Sequence, residues 1–315
     1  MKAIRPLQIL LISLLTLLFS CEEAEFQSGT VIPYEGPTIP FAIIGDYGLA
    51  GEAAKKVSEL VHSWDPEFII TTGDNNYPDG ALATLEDNII QYYEDYIYNP
   101  DALIYLRCNG RASQEQVNRF FPSLGNHDYD NPIGANPYFA FFTLPGNEQY
   151  YDFQRGSAHF FCLESDPILE ESCCEHKQAQ WLKEKLSQST AAFKIVYMHH
   201  GPYTLSKHLP YQNLRWPFKE WGVDLVVYGH NHVYERFSPN DPANPTYVVN
   251  GIGGSPFLSD CSNGSIPKGY SHQCLDGIHG AIRGWITKDE LHLELYTVGQ
   301  SAEAIDAWII PFIPK

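Results

Sequence analysis

The residues of this 315-residue chain best suited to chemistry stand at the ends of short apolar runs. Phe41-Ala42-Ile43-Ile44 runs into Gly45-Asp46. Phe68-Ile69-Ile70-Thr71-Thr72 runs into Gly73-Asp74, with Tyr77 three residues further on. Arg119 to Leu124 leads to Gly125-Asn126-His127-Asp128, Phe193 to Met198 to His199-His200, and Leu225 to Tyr228 to Gly229-His230-Asn231-His232. Apolar, β-branched runs read as buried strands, and α/β sheets bind ligands beyond the carboxyl ends of their strands. Taken singly, a strand-end Asp ordinarily caps a helix and a lone His ordinarily packs. Five such ends in series require another account. Carboxylate, amide oxygen and imidazole together suit iron, zinc or manganese, and two such ions about 3.5–4 Å apart need a bridging carboxylate.

Positioning these ends requires an α/β framework. Between the first two strands, Glu52 to Trp64 sets Ala53, Val57, Leu60 and Val61 on one helical face, and Asp65-Pro66 breaks the helix. The pattern predicts further helices over 85–98, stopped by Asn99-Pro100, and over 176–186, with Trp181, Leu182 and Leu186 inward. A hairpin is expected around Arg155-Gly156, and 246–250, 281–286 and 291–298 are expected to form a second sheet. No internal repeat or composition shift divides residues 39–315, so they are read as a single α/β domain: two packed mixed β-sheets flanked by helices.

Composition narrows the function classes. The formal charge of −18 and the lack of any Lys/Arg run argue against a nucleic-acid partner. A phosphorylated substrate would need local positive charge. Lys2 and Arg5 precede the apolar stretch Leu7 to Phe19, which fits a secretory leader over residues 1–20. Leu18-Phe19-Ser20-Cys21 is similar to a bacterial lipoprotein signal, which would make Cys21 the lipid-modified first residue of a flexible tether over 21–38. Export to the bacterial cell envelope, with membrane contact through the lipid anchor only, is the expectation. Six further cysteines allow 15 pairings; Cys261 and Cys274, flanking a Gly/Ser/Asn-rich loop, are the expected pair.

The order Gly-Asp, Gly-Asp, Gly-Asn-His-Asp, His, Gly-His-x-His resembles the calcineurin-like metallophosphoesterases. Gly48 stands where most of that superfamily has a His, and Gly73-Asp74-Asn75-Asn76-Tyr77 supplies a Tyr instead, an exchange that marks the purple acid phosphatases. The resemblance runs from about residue 41 to 255. It implies the αββα sandwich and a binuclear centre, with Asp46, Asp74, Tyr77 and His232 on Fe(III). Asp74, Asn126, His199 and His230 would then hold a divalent Fe, Zn or Mn, with Asp74 shared. A phenolate is a hard donor that favours Fe(III), and the cation lowers the phenol pKa from about 10. The implied reaction is hydrolysis of a small phosphate monoester by metal-bound hydroxide, with His127 or His208 as general acid. A phosphodiesterase on the same fold and an inactive, metal-containing surface binding protein are the rivals. Asp128 is expected to orient an imidazole and His200 to face away from the metals. The connection from Ala158 to His176, which carries Cys173-Cys174, is shorter than in some small relatives that restrain activity with a protease-sensitive loop. The resemblance therefore implies that this control is absent.

Overall fold

Alternation within the buried runs builds the molecule. Along the strand Ala158–Cys162, Phe160 faces one apolar cluster and Phe161 another; Ile195 and Val196, then Val227 and Val226, repeat that division. Such strands separate two layers of core, as a sheet covered on both faces must. The computed structural model describes residues 38–100, 107–169, 176–261, 265–299 and 303–313.

The strands in chain order are β1 (Ile39–Ile44), β2 (Phe68–Thr71), β3 (Phe120–Pro122), β4 (Tyr151–Arg155), β5 (Ala158–Cys162), β6 (Phe193–Tyr197) and β7 (Leu225–Tyr228). They continue as β8 (Tyr234–Pro239), β9 (Thr246–Asn250), β10 (Tyr270–Leu275), β11 (Gly280–Ile286), β12 (Glu290–Thr297) and β13 (Asp306–Pro311). One sheet has the order β13-β12-β11-β1-β2-β3, the other β10-β8-β9-β7-β6-β5-β4. The two are mixed: β1-β2-β3 and β5-β6-β7-β9 are parallel, and the remaining pairs are antiparallel. The sheets pack face to face through aromatic rings, with Phe68 5.2 Å from Phe160 and Phe121 4.0 Å from Phe153. Helix Glu52–Ser63 buries Ala54, Val57 and Val61; helix Lys177–Gln188 buries Ala179, Leu182 and Leu186 in the second cluster. The fold is the expected two-sheet sandwich flanked by helices.

Four expectations change in detail. β9 joins β7, and β11 and β12 extend the sheet of β1, so the C-terminal strands complete both sheets rather than forming one of their own. Ala54, not Ala53, is the buried alanine of the first helix, while Trp181 is only partly buried. The helix expected over 85–98 is reduced to a π-helical turn (Glu86–Ile90) and one α turn (Gln91–Tyr93), preceded by a 3₁₀ turn (Leu82–Thr84). Its periodicity yields to Asn88, whose amide nitrogen donates to Asn76 Oδ1 (2.8 Å) and to the Tyr77 carbonyl (2.7 Å). Cys261 and Cys274 form a disulfide, while Cys108 and Cys162 are buried thiols. Residues 1–37, with the expected leader, Cys21 and all but the last residue of the tether, lie outside the described residues, as do Cys173 and Cys174.

Candidate metal centre

The carboxyl ends of β1, β2 and β3 meet those of β6 and β7, and each delivers its polar residue at once. Asp46 follows β1 by two residues and Asp74 follows β2 by three. A 3₁₀ turn, Asn126–Asp128, lies beyond β3, while His199 and His230 follow β6 and β7 by two residues each. Asp46, Asp74 and His230 have φ of 53°, 52° and 67°, a left-handed conformation that non-glycine residues seldom adopt. Strain of this kind, about 1–3 kcal/mol per residue, persists only where the surroundings impose it. Here the neighbouring glycines make the turns possible. A Cβ on Gly125 would lie 2.3 Å from Asp74 Oδ1.

The donors form two groups joined by Asp74. Its Oδ2 accepts from the Tyr77 hydroxyl at 2.9 Å, and that hydroxyl lies 3.2 Å from His232 Nε2 and 3.5 Å from Asp46 Oδ1. His232 Nε2 is 3.1 Å from Asp46 Oδ1. On the other side, Asp74 Oδ1 is 3.3 Å from His199 Nε2, which is 3.1 Å from Asn126 Oδ1. The His230 ring lies 5.1 Å from that of His199, and its backbone N–H donates to both Asp46 carboxylate oxygens. The Thr72 carbonyl takes His199 Nδ1 (2.8 Å) and the Phe257 carbonyl takes His232 Nδ1 (2.7 Å). A carbonyl only accepts, so both rings keep a proton on Nδ1 and turn Nε2 towards the centre. All seven expected metal-site residues are thereby brought together.

The electrostatics fit a cation. Asp46 and Asp74 are buried side by side, and the positive groups acting on them are imidazoles. Burial pushes Asp74 up; at Asp46 the His232, His199 and His230 rings outweigh burial and hold the carboxyl down. Burial, then the Asp74 and Asp46 charges, drives the Tyr77 phenol well above its usual value. Burial and the neighbouring His199 push His230 down to about 3. Two carboxylates, a phenol and imidazoles at this spacing form a hard donor set, and a metal cation would relieve the repulsion between its buried carboxylates.

His127 and His208 flank the centre from opposite sides. His127 lies 4.5 Å from the Tyr77 ring, with Nδ1 2.6 Å from the Pro78 carbonyl; His208 lies 4.5 Å from His230. Two expectations are corrected. Asp128 orients backbone rather than imidazole: it accepts from the Gly125 N–H (2.9 Å) and from the Asn75 N–H and side-chain amide (3.1 and 2.8 Å). His200 does not face away, because the chain leaves strand geometry at Tyr197. Its ring lies 4.4 Å from His230, and its Nδ1 is 2.9 Å from Ser165 Oγ.

Sequence reasoning left Asn75, Asn76 and Tyr211 without roles. Asn75 accepts from Tyr47 and Thr71 and donates to the Ser123 carbonyl and to Asp128, tying the three metal-side loops of the first sheet together. The Tyr211 hydroxyl sits 3.4 Å from His230 Nε2. Two buried amides directly after a strand-end Asp were the available signal; Tyr211 had none. Gly48 now has a reason as well. A Cβ there would lie 1.9 Å from the Asn75 carbonyl oxygen, and the Tyr77 N–H donates to the Gly48 carbonyl at 2.8 Å. The loop that brings Tyr77 in occupies the space a side chain at 48 would need.

The two-sheet sandwich, with candidate metal donors converging at its strand ends, matches the metallophosphoesterase fold. The chain belongs to the calcineurin-like phosphoesterase family, whose model matches residues 39–234. Members of that family use a binuclear metal centre, which agrees with the donor clusters here. Among its relatives are purple acid phosphatases of Arabidopsis thaliana. Purple acid phosphatase 4 is 24% identical across 91% of this chain and 87% of its own length; purple acid phosphatase 15 is 26% identical across 68% of this chain and 44% of its own. The chain thus spans about half the length of some curated relatives it matches. A purple acid phosphatase from yellow lupin (Lupinus luteus) seeds shares the fold, with a TM-score of 0.69 at 17% identity over 89% of this chain and 55% of that one.

Proposed function

We propose that this chain is an acid phosphatase that hydrolyses small phosphate monoesters at an Fe(III)–M(II) pair, M being iron, zinc or manganese. The division of Asp74 carries the reading: one oxygen faces Tyr77 at 2.9 Å and the other faces His199 at 3.3 Å. Asp46, Tyr77 and His232 would complete the ferric side, and Asn126, His199 and His230 the divalent side. When bound, the two cations would neutralise the phosphate and supply an activated water for in-line attack. The chain's own residues do the rest. Asp74 fixes the spacing of the halves, and the Thr72 and Phe257 carbonyls aim the His199 and His232 rings. His127, beside Tyr77, and His208, beside His230, would hold a phosphoryl oxygen, and either would deliver a proton to the leaving alkoxide. The Cys261–Cys274 disulfide supports an exported location, where such bonds persist.

The test is optical and kinetic. Purified protein should be purple or pink from tyrosinate-to-Fe(III) charge transfer, and Tyr77→Phe should bleach it. A colourless, fully active dizinc wild type would overturn the ferric assignment. Saturating rates should favour a monoester over a bis-ester. The reverse order would mean a phosphodiesterase, and no turnover with both metals loaded would mean a binding protein.

A further inference from the structure

The segment after β9 has no regular structure, yet it touches two of the proposed ligands through its backbone. The Gly253 N–H donates to the Gly45 carbonyl (2.8 Å), the Ser255 N–H to the Asp46 carbonyl (3.0 Å) and the Ser259 N–H to the His232 carbonyl (3.1 Å). Between them, the Phe257 carbonyl takes His232 Nδ1 while the Phe257 side chain stays 67% exposed, so the contact belongs to the main chain. Asp46 and His232 both belong to the Tyr77 side of the centre. His199 and Asn126 are held from elsewhere, by the Thr72 carbonyl and by the turn after β3.

Irregular backbone keeps one position only if something offsets the entropy of ordering it. At its far end the segment is fixed three times. Cys261 is joined to Cys274, which stands in β10 opposite Glu235 of β8. The Cys261 N–H donates to the Asp276 carboxylate (2.7 Å), and the Asp260 carbonyl accepts from Ser206 Oγ (2.9 Å).

We propose that the Cys261–Cys274 disulfide positions one half of the metal centre: by holding segment 253–261 against Asp46 and His232, it sets cation affinity on the Tyr77 side and leaves the Asn126–His199–His230 side unaffected. The inference rests on the reading that these donors hold two cations. Residues that orient a metal-bound imidazole typically carry about 10–100-fold in metal affinity, and that selective loss is the expected effect.

The experiment is a calorimetric titration of metal-stripped full-length protein with Zn(II). Wild type should show two classes of site, and His232→Ala should identify the class on the Tyr77 side. The double variant Cys261→Ser/Cys274→Ser should weaken that class 10–100-fold and leave the other unchanged; after iron loading, its charge-transfer band should shift or fade. Equal affinities in variant and wild type would overturn the proposal. A wild type with fewer than two classes would instead overturn the two-cation reading, and the proposal with it. Should the double variant lose its circular dichroism, Asp276→Ala decides, since it keeps the disulfide and removes only one anchor. A smaller loss confined to the same class supports the proposal, and unchanged affinity at both classes refutes it.

Discussion

The two halves of the centre are built from different materials. On the Tyr77 side, two deeply buried carboxylates and a buried phenol crowd around one partly buried imidazole, and an irregular strap holds two of the four from behind. On the His199 side, imidazoles and an amide oxygen share a single carboxylate oxygen, and the rings of His208, Tyr211 and His200 border His230. The first half gathers negative charge and suits a hard, highly charged cation; the second is nearly neutral and suits a divalent one. The difference teaches that a sandwich with similar strand ends on both sheets can make unlike sites, because the loops beyond the strands choose the donors.

The strongest way to break this comparison is to remove what the halves share. Asp74→Ala should empty both and lower turnover roughly 10³-fold or more, the scale of several kcal/mol that metal ions supply to transition-state charge stabilisation. Elemental analysis beside steady-state kinetics checks it, and retention of both metals would remove Asp74 as the bridge. His208→Ala should act on one flank only. Its ring touches His230 without joining either donor group, so kcat should fall about 10²-fold, the ordinary worth of a general acid, while metal content holds. An unchanged rate would take His208 out of the site.

The division of labour also governs how far the sequence could be read. Strand ends were legible because buried runs and their glycines are local signals: Asp46, Asp74, Asn126, His199 and His230 all stand where the apolar runs stop. Sheet membership was not, since β11 joins β1 across more than two hundred residues, bringing β12 with it, and nothing in their alternation names a partner. His200 misled because strand alternation was extended past Tyr197, where the chain turns. Asn75 and Asn88 were missed for a related reason. Their amides bond to other loops, Asn75 to Ser123 and Asn88 to Ala50 and Tyr77, and Asn88 breaks a helix that its neighbours' periodicity favours.

A buried carboxylate outside the centre sharpens the contrast. Glu164 lies just beyond β5, 4% exposed, and burial with the nearby Asp166 charge pushes it up to about 7, Lys177 opposing only in part. Its ordinary value is 4.5, so the folded state holds the proton more tightly than the unfolded chain. The stability this contributes is fully present below about pH 4.5 and is lost as pH rises through about 7, an effect of up to roughly 3 kcal/mol that residual solvent contact reduces. Glu164→Gln keeps the shape and removes the charge. Relative to wild type it should gain stability with rising pH across that window, by about 1–3 kcal/mol at pH 8. Urea unfolding midpoints at pH 4.5, 6 and 8 would show this, and parallel curves would mean Glu164 ionises freely in the fold. Asp46 and Asp74 have imidazoles and, on the proposed reading, cations to offset their burial. Among the described residues Glu164 has only Lys177, which offsets its burial in part, so its ionisation should cost the fold stability.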